Sequence, residues 1–129
     1  LFYAYRETFS DPKEILSKKS FGPAHLRALN LIERNPGISL GEIMFKLKIT
    51  KQSLNRVLRE LLHAKMIKQI KDDDDTRRKN IYLDKEGKFF FDKVYESQKK
   101  RIFYALKNSD PKSVIQFKEV LNKIVNGAW

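Results

Sequence analysis

Thr50-Lys51-Gln52-Ser53-Leu54-Asn55-Arg56-Val57-Leu58-Arg59-Glu60-Leu61-Leu62-His63-Ala64 is the stretch on which the reading of this chain turns. Leu54, Val57, Leu58, Leu61 and Leu62 recur at i, i+3, i+4, i+7 and i+8, the spacing of one apolar stripe on a helix. At about 100° per residue, Gln52, Arg56, Arg59 and His63 fall on the opposite pole, flanked by Asn55 and Ser53. That outer face carries the groups that read base edges and neighbouring phosphates, Arg for guanine and Asn or Gln for adenine. Thr50 is a good N-cap for this helix.

The residues upstream give the helix its context. Ser39-Leu40-Gly41-Glu42 has the form of a capping box, with Leu40, Ile43, Met44 and Leu47 as the buried stripe of a short helix. Only Lys48 and Ile49 separate it from Thr50, so the two helices cross steeply with Ile49 as the apolar pin between them. This is a helix-turn-helix over residues 39–64. Downstream, Met66 to Lys71 and Asn80 to Leu83 are short, partly β-branched runs around the polar stretch Asp72 to Lys79. They read as a hairpin with a solvent-facing tip over residues 66–83, the wing of a winged helix.

Further out the chain is helical. Leu1, Phe2, Tyr5 and Phe9 mark an aromatic-rich first helix, and Asp11-Pro12 predicts a break and restart running to about Lys18. Gly22-Pro23 starts another helix with Leu26, Leu29 and Ile32 inward, and Asn35-Pro36-Gly37 stops it. Asp84 caps a long helix from Lys85 to about Leu106 that carries Phe89, Phe90, Phe91, Val94, Tyr95, Ile102 and Phe103. Ser109-Asp110-Pro111 opens a last helix expected to bury Val114, Phe117, Leu121, Ile124 and Trp129. The fold class is therefore mainly α with a small β-hairpin wing. A winged helix-turn-helix lobe (21–84) is joined to terminal helices (1–20 and 85–129) whose surplus apolar surface reads as a homodimer interface.

Composition agrees. The 129 residues hold 27 Lys and Arg against 16 Asp and Glu, a net charge of +11, which points to a polyanionic partner, nucleic acid first. The surplus is concentrated, since Lys46 to Lys79 carries eleven basic and five acidic residues. There is no cysteine, which removes disulfides, thiol redox sensing and thiolate metal sites. A cytoplasmic location is expected, because no run approaches the ~20 apolar residues of a membrane span and no signal peptide is recognisable. No Gly-rich phosphate loop, Ser-His-Asp or Cys-His arrangement is present, so the chain is not read as an enzyme, and neither a cofactor nor a metal is expected.

In these residues the chain resembles the MarR family of bacterial transcriptional regulators. The resemblance rests on Pro36 to Ile43, Ile49 to Leu54, Leu58-Arg59-Glu60-Leu61 and Met66-Ile67. To these it adds a wing signature, Asp75-Thr76-Arg77 followed by Ile81-Tyr82-Leu83-Asp84-Lys85-Glu86-Gly87. Asp84 stands where the family commonly has Thr, and both are N-caps. Leu1 to Arg6 together with Gly22 to Arg27 looks like a proteobacterial, PetP-like branch. The resemblance implies a two-fold dimer on a pseudo-palindromic double-stranded DNA operator. Its recognition helices would lie in successive major grooves, with Arg77, oriented by Asp75, in the minor groove, and regulation would be by blocking a promoter. It brings Lys51, Gln52, Ser53, Asn55 and Arg56 to the major groove.

The DNA-facing set is then Ser39, Thr50, Lys51, Gln52, Ser53, Asn55, Arg56, Arg59, Asp75, Arg77, Arg78 and Lys79. Gln52 and Arg56 are expected on bases and Arg59 on phosphate. The four carboxylates Asp72 to Asp75 should stand clear of the DNA or fold back onto Lys68, Lys71 or Arg78. His25 and Arg27 are read first as capping or interface residues, with contact to a small anionic effector between the terminal helices and the lobe as the alternative. The rival readings are a winged-helix module that docks a protein and binds DNA weakly, and an RNA binder using the same basic face.

Overall fold

The computed structural model describes residues 1–127, and Trp129 lies outside the described residues. Six helices and one hairpin follow in the order α1 (Phe2–Ser17), α2 (Pro23–Arg34), α3 (Leu40–Leu47), α4 (Lys51–His63), β1 (Ile67–Lys71), β2 (Lys79–Leu83), α5 (Lys85–Lys107) and α6 (Pro111–Asn126). Local chemistry sets most of these limits. Ser39 Oγ accepts from the Glu42 amide at 3.2 Å and opens α3. Lys48 at φ +53° ends it, and Thr50 Oγ1 accepts from the Ser53 amide at 3.1 Å to open α4 two residues later. Ile49 is half-buried against the core, as the pin between the two helices.

The core forms where the stripes of α2, α3 and α4 converge. Leu29, Ile32, Ile43, Leu54 and Leu61 are wholly buried there, joined by Val57 and Leu58. The hairpin closes one side through Met66, Ile67 and Ile81, and α5 closes another through Phe90, Phe91 and Val94. β1 and β2 pair antiparallel from Ile67↔Leu83 to Lys71↔Lys79. Ile38 adds a further bridge to Ile81, with the Gly37 amide donating to the Ile81 carbonyl at 2.9 Å and the Ile81 amide to the Ile38 carbonyl at 3.0 Å. The base of the wing is therefore fastened to the residues that lead into α3.

Two expectations are corrected. The first helix does not break at Asp11-Pro12; α1 runs through it, with Pro12 inside and buried. A mid-helix proline loses one amide bond and crowds the carbonyl four residues back. Tertiary contact holds the helix together here: α1 lies along α5, and Arg101 grips the Asp11 carboxylate at 2.7 and 3.0 Å. The second correction concerns α6, which buries none of its side chains within one chain. Val114 and Leu121 are half-buried, whereas Phe117 and Ile124 are 55% and 51% exposed. The stripe is present, but no layer of the same chain lies opposite it.

Candidate nucleic-acid interface

The exposed side of α4 and the arms of the wing share one cleft. It has a volume of about 820 Å³ and is walled by Gln52, Asn55 and Arg59 of α4, Ser39 and Gly41 at the start of α3, and Arg77, Arg78 and Lys79 of the wing. Lys51, Ser53 and Arg56 are exposed on α4 but are not part of that wall. None of Lys51, Arg56, Arg59, Arg77 and Lys79 takes part in an ion pair among the described residues, so their charge faces outward. Thr50 and Ser53 are tied to each other, hydroxyl to hydroxyl at 3.0 Å, in the first turn of α4.

The acidic wing tip is folded back on itself. Asp72 Oδ1 accepts from the amides of Asp74 at 2.8 Å and Asp75 at 3.3 Å. Those bonds, with Asn80 and the Arg78 charge, hold its carboxyl below the usual range against partial desolvation. Asp75 Oδ1 accepts from the Arg77 backbone amide at 3.0 Å, so it shapes the turn rather than gripping the guanidinium. Arg78, expected on the DNA, is engaged within the protein. It donates to Glu42 Oε1 at 3.0 Å and to Asn80 Oδ1 at 3.0 Å, and stands 3.7 Å from Asp72.

The two effector candidates are separated by the fold. Arg27 lines a second cleft of about 660 Å³ between α1, α2 and α5, with Tyr5, Thr8, Phe9, Asn30 and Tyr95 in its wall. Its guanidinium donates to the Tyr5 hydroxyl at 2.8 Å. His25 is not in that wall. It is buried at the start of α2, where Nδ1 accepts from the Gly22 amide at 3.0 Å. Its Nε2 lies 2.8 Å from Glu60 of α4, and its ring stacks on Phe21. With Nδ1 accepting, the neutral ring donates from Nε2, and His25 serves to cap α2 and join it to α4.

Residues not singled out from sequence include Gln69 and Gly41 in the first cleft and Asn30 and Arg34 in the second. The sequence marks Glu42 only as a capping residue. No local signal marks these positions, because each is brought to its cleft by elements distant in the chain. Among the described residues there is no helix long and apolar enough to cross a membrane and no group of metal-ligating side chains.

A helix-turn-helix with a hairpin wing and a cleft between them lined by cationic side chains defines a winged-helix DNA-binding fold. The MarR family model matches residues 20–78. The HTH-type transcriptional regulator PetP of Rhodobacter capsulatus is 34% identical over 99% of this chain and 77% of its own length. The chain belongs to the MarR family, a family of DNA-binding transcriptional regulators and not of enzymes. Solved structures share the fold. NadR in complex with 4-hydroxyphenylacetate matches 96% of this chain and 88% of its own at a TM-score of 0.81 and 19% identity. Streptococcus pneumoniae FabT in complex with DNA matches 84% and 76% at a TM-score of 0.74 and 13% identity.

Proposed function

We propose that this regulator acts as a homodimer on a pseudo-palindromic duplex operator, with α4 in the major groove and the wing in the adjacent minor groove, and represses by occupying promoter DNA. The observation that carries the reading is the first cleft. A helix in one groove and a hairpin in the next must straddle the sugar–phosphate strand that divides them. The wall of that cleft holds the cations such a strand requires, Arg59 and Lys79, beside the amide side chains of Gln52 and Asn55 that face the groove. Gln52, Asn55 and Arg56 on α4 are assigned to base edges, Arg59, Lys51 and Lys79 to phosphate, and Arg77 to the minor groove, where a narrow A·T-rich stretch concentrates negative potential. Ser39, Thr50 and Ser53 lie along the backbone. Asp75 acts by setting the turn that presents Arg77.

Division of labour follows the exposed apolar surface. Residues 21–84 form the DNA-binding lobe, and residues 1–20 with 85–129 pair the two copies. Phe2, Phe103, Phe117 and Val125 are all more than half exposed in the single chain. So much aromatic and aliphatic surface in the terminal helices is what a second copy would cover.

A small anionic effector fits the second cleft, whose size lies in the usual range for ligand pockets and whose wall places Arg27 beside aromatic rings. The complex of NadR with 4-hydroxyphenylacetate supports this part of the reading. Selection of bound sequences from a random duplex pool tests the whole proposal. Two-fold symmetric sites with half-sites about one helical turn apart are expected. Unenriched sequence, or single half-sites, would overturn it.

A further inference from the structure

We propose that Glu42 and Arg78 form a clasp that sets the angle of the wing against the helix-turn-helix, so that Arg78 serves DNA binding through Glu42 and not by touching a phosphate. The inference rests on the DNA-binding reading above and gives Arg78, with Glu42, a positioning role in place of direct contact.

The wing is seated on the lobe at its base, where Ile67 and Ile81 are buried in the core, and meets it again further out. At its base, the Ile38–Ile81 bridge joins β2 to the strand-like residues before α3. A hairpin held only at its base could still tilt along its length. Arg78 lies three residues further along, about 10 Å out at ~3.3 Å per residue, and there its Nη2 meets Glu42 Oε1 at 3.0 Å. Two anchors that far apart fix an angle where one would fix only a position.

Each end of the clasp is itself braced. Glu42 Oε1 also accepts from the Ser39 hydroxyl at 3.0 Å, which ties it to the start of α3. Arg78 is held by Asn80 at 3.0 Å and by Asp72 at 3.7 Å. Asn80 donates to the same Asp72 carboxylate at 3.4 Å, and Asp72 closes the wing turn. The brace therefore runs from the α3 cap through Glu42 and Arg78 to the turn that carries Arg77. Arg77 is the neighbour of Arg78 in sequence but has no ion-pair partner among the described residues. The clasp holds one arginine on the protein and leaves the next one outward.

The sign of one substitution separates this role from ordinary electrostatics. A carboxylate beside a phosphate cleft repels DNA, so if Glu42 acted only through its charge, Glu42→Ala would tighten binding. A clasp requires the opposite. The test is a double-mutant cycle on the full chain, Glu42→Ala, Arg78→Ala and the pair, titrated against the selected duplex, with thermal unfolding as a control. Both side chains are about half exposed, so the unfolding midpoints should fall only slightly, and far less than binding.

Glu42→Ala is expected to weaken binding about tenfold, a fraction of what losing the wing arginine would cost. The double variant should be no weaker than Arg78→Ala alone, because either change releases the same hinge. Glu42→Ala binding that equals or exceeds wild type overturns the clasp while leaving the DNA-binding reading intact. Additive losses in the double variant do the same. A wild-type chain that binds no duplex overturns both.

Discussion

Gly87→Ala is the substitution for which local and tertiary reasoning give opposite signs. Gly87 is buried in the first turn of α5, and replacing a helical glycine by alanine ordinarily gains about 0.5–1 kcal/mol. A Cβ at this position would lie 1.8 Å from the Met66 carbonyl oxygen and 2.7 Å from its carbon. Both are rigid backbone, and α5 would have to move by more than an ångström to restore contact distance. The same Met66 carbonyl accepts from the Asp84 amide at 2.9 Å, so that movement also disturbs the entry to the helix. Overpacking costs about 1–3 kcal/mol, and a strained hydrogen bond adds about 1. Against the gain in helix propensity, a net loss of about 2 kcal/mol follows, or roughly 5–10 °C in Tm for a domain of this length. Thermal unfolding at one fixed protomer concentration measures it, since stability of a dimer depends on concentration. A Gly87→Ala chain as stable as wild type, or more so, would refute the described seating of α5 on the wing base.

Other outcomes follow from the same geometry. Arg56→Ala should cost about 1–3 kcal/mol on the preferred duplex and flatten base preference; an equal loss on every sequence would make Arg56 a phosphate contact. Phe117→Asp, at a site already half exposed in one chain, should leave helix content unchanged and shift sedimentation equilibrium toward single chains; an unchanged mass distribution counts against α6 as the interface. Acid should loosen the molecule at two places. Asp11 is held low by its Arg101 hydrogen bonds, Glu42 chiefly by the Ser39 hydroxyl, and Asp72 chiefly by the Asp74 amide. Each depressed carboxylate stabilises the fold above its ordinary value of 3.8 or 4.5 and loses that contribution as pH falls through its lower folded value. Urea midpoints should therefore hold from neutral pH to about pH 5 and fall below about pH 4; a midpoint insensitive to acid would deny those pairs any weight.

What could be read from the residue order was whatever depends on near neighbours. The stripe of α4 and the caps at Ser39, Thr50 and Asp84 are settled within one or two turns, and all stand as expected. The hairpin, likewise, follows from two short runs around a polar tip. What could not be read depends on partners far along the chain. Pro12 stays helical because Arg101, ninety residues on, holds Asp11. Arg78 is paired at the surface with Glu42, thirty-six residues back, and His25 is occupied by Glu60 from α4. In each case the partner is set by the fold and not by near neighbours in sequence. The apolar stripe of α6 is a different case, since its pattern states that the face is to be covered but not by which chain.

The claim that two copies of α4 and the wing seat together on one duplex is tested most directly by titrating the selected operator over a range of salt concentrations. Two chains per duplex and a log–log slope of about −7 are expected, from neutralisation of ~8 phosphates at ~0.9 counterions each. One chain per duplex, or an affinity indifferent to salt, would contradict it.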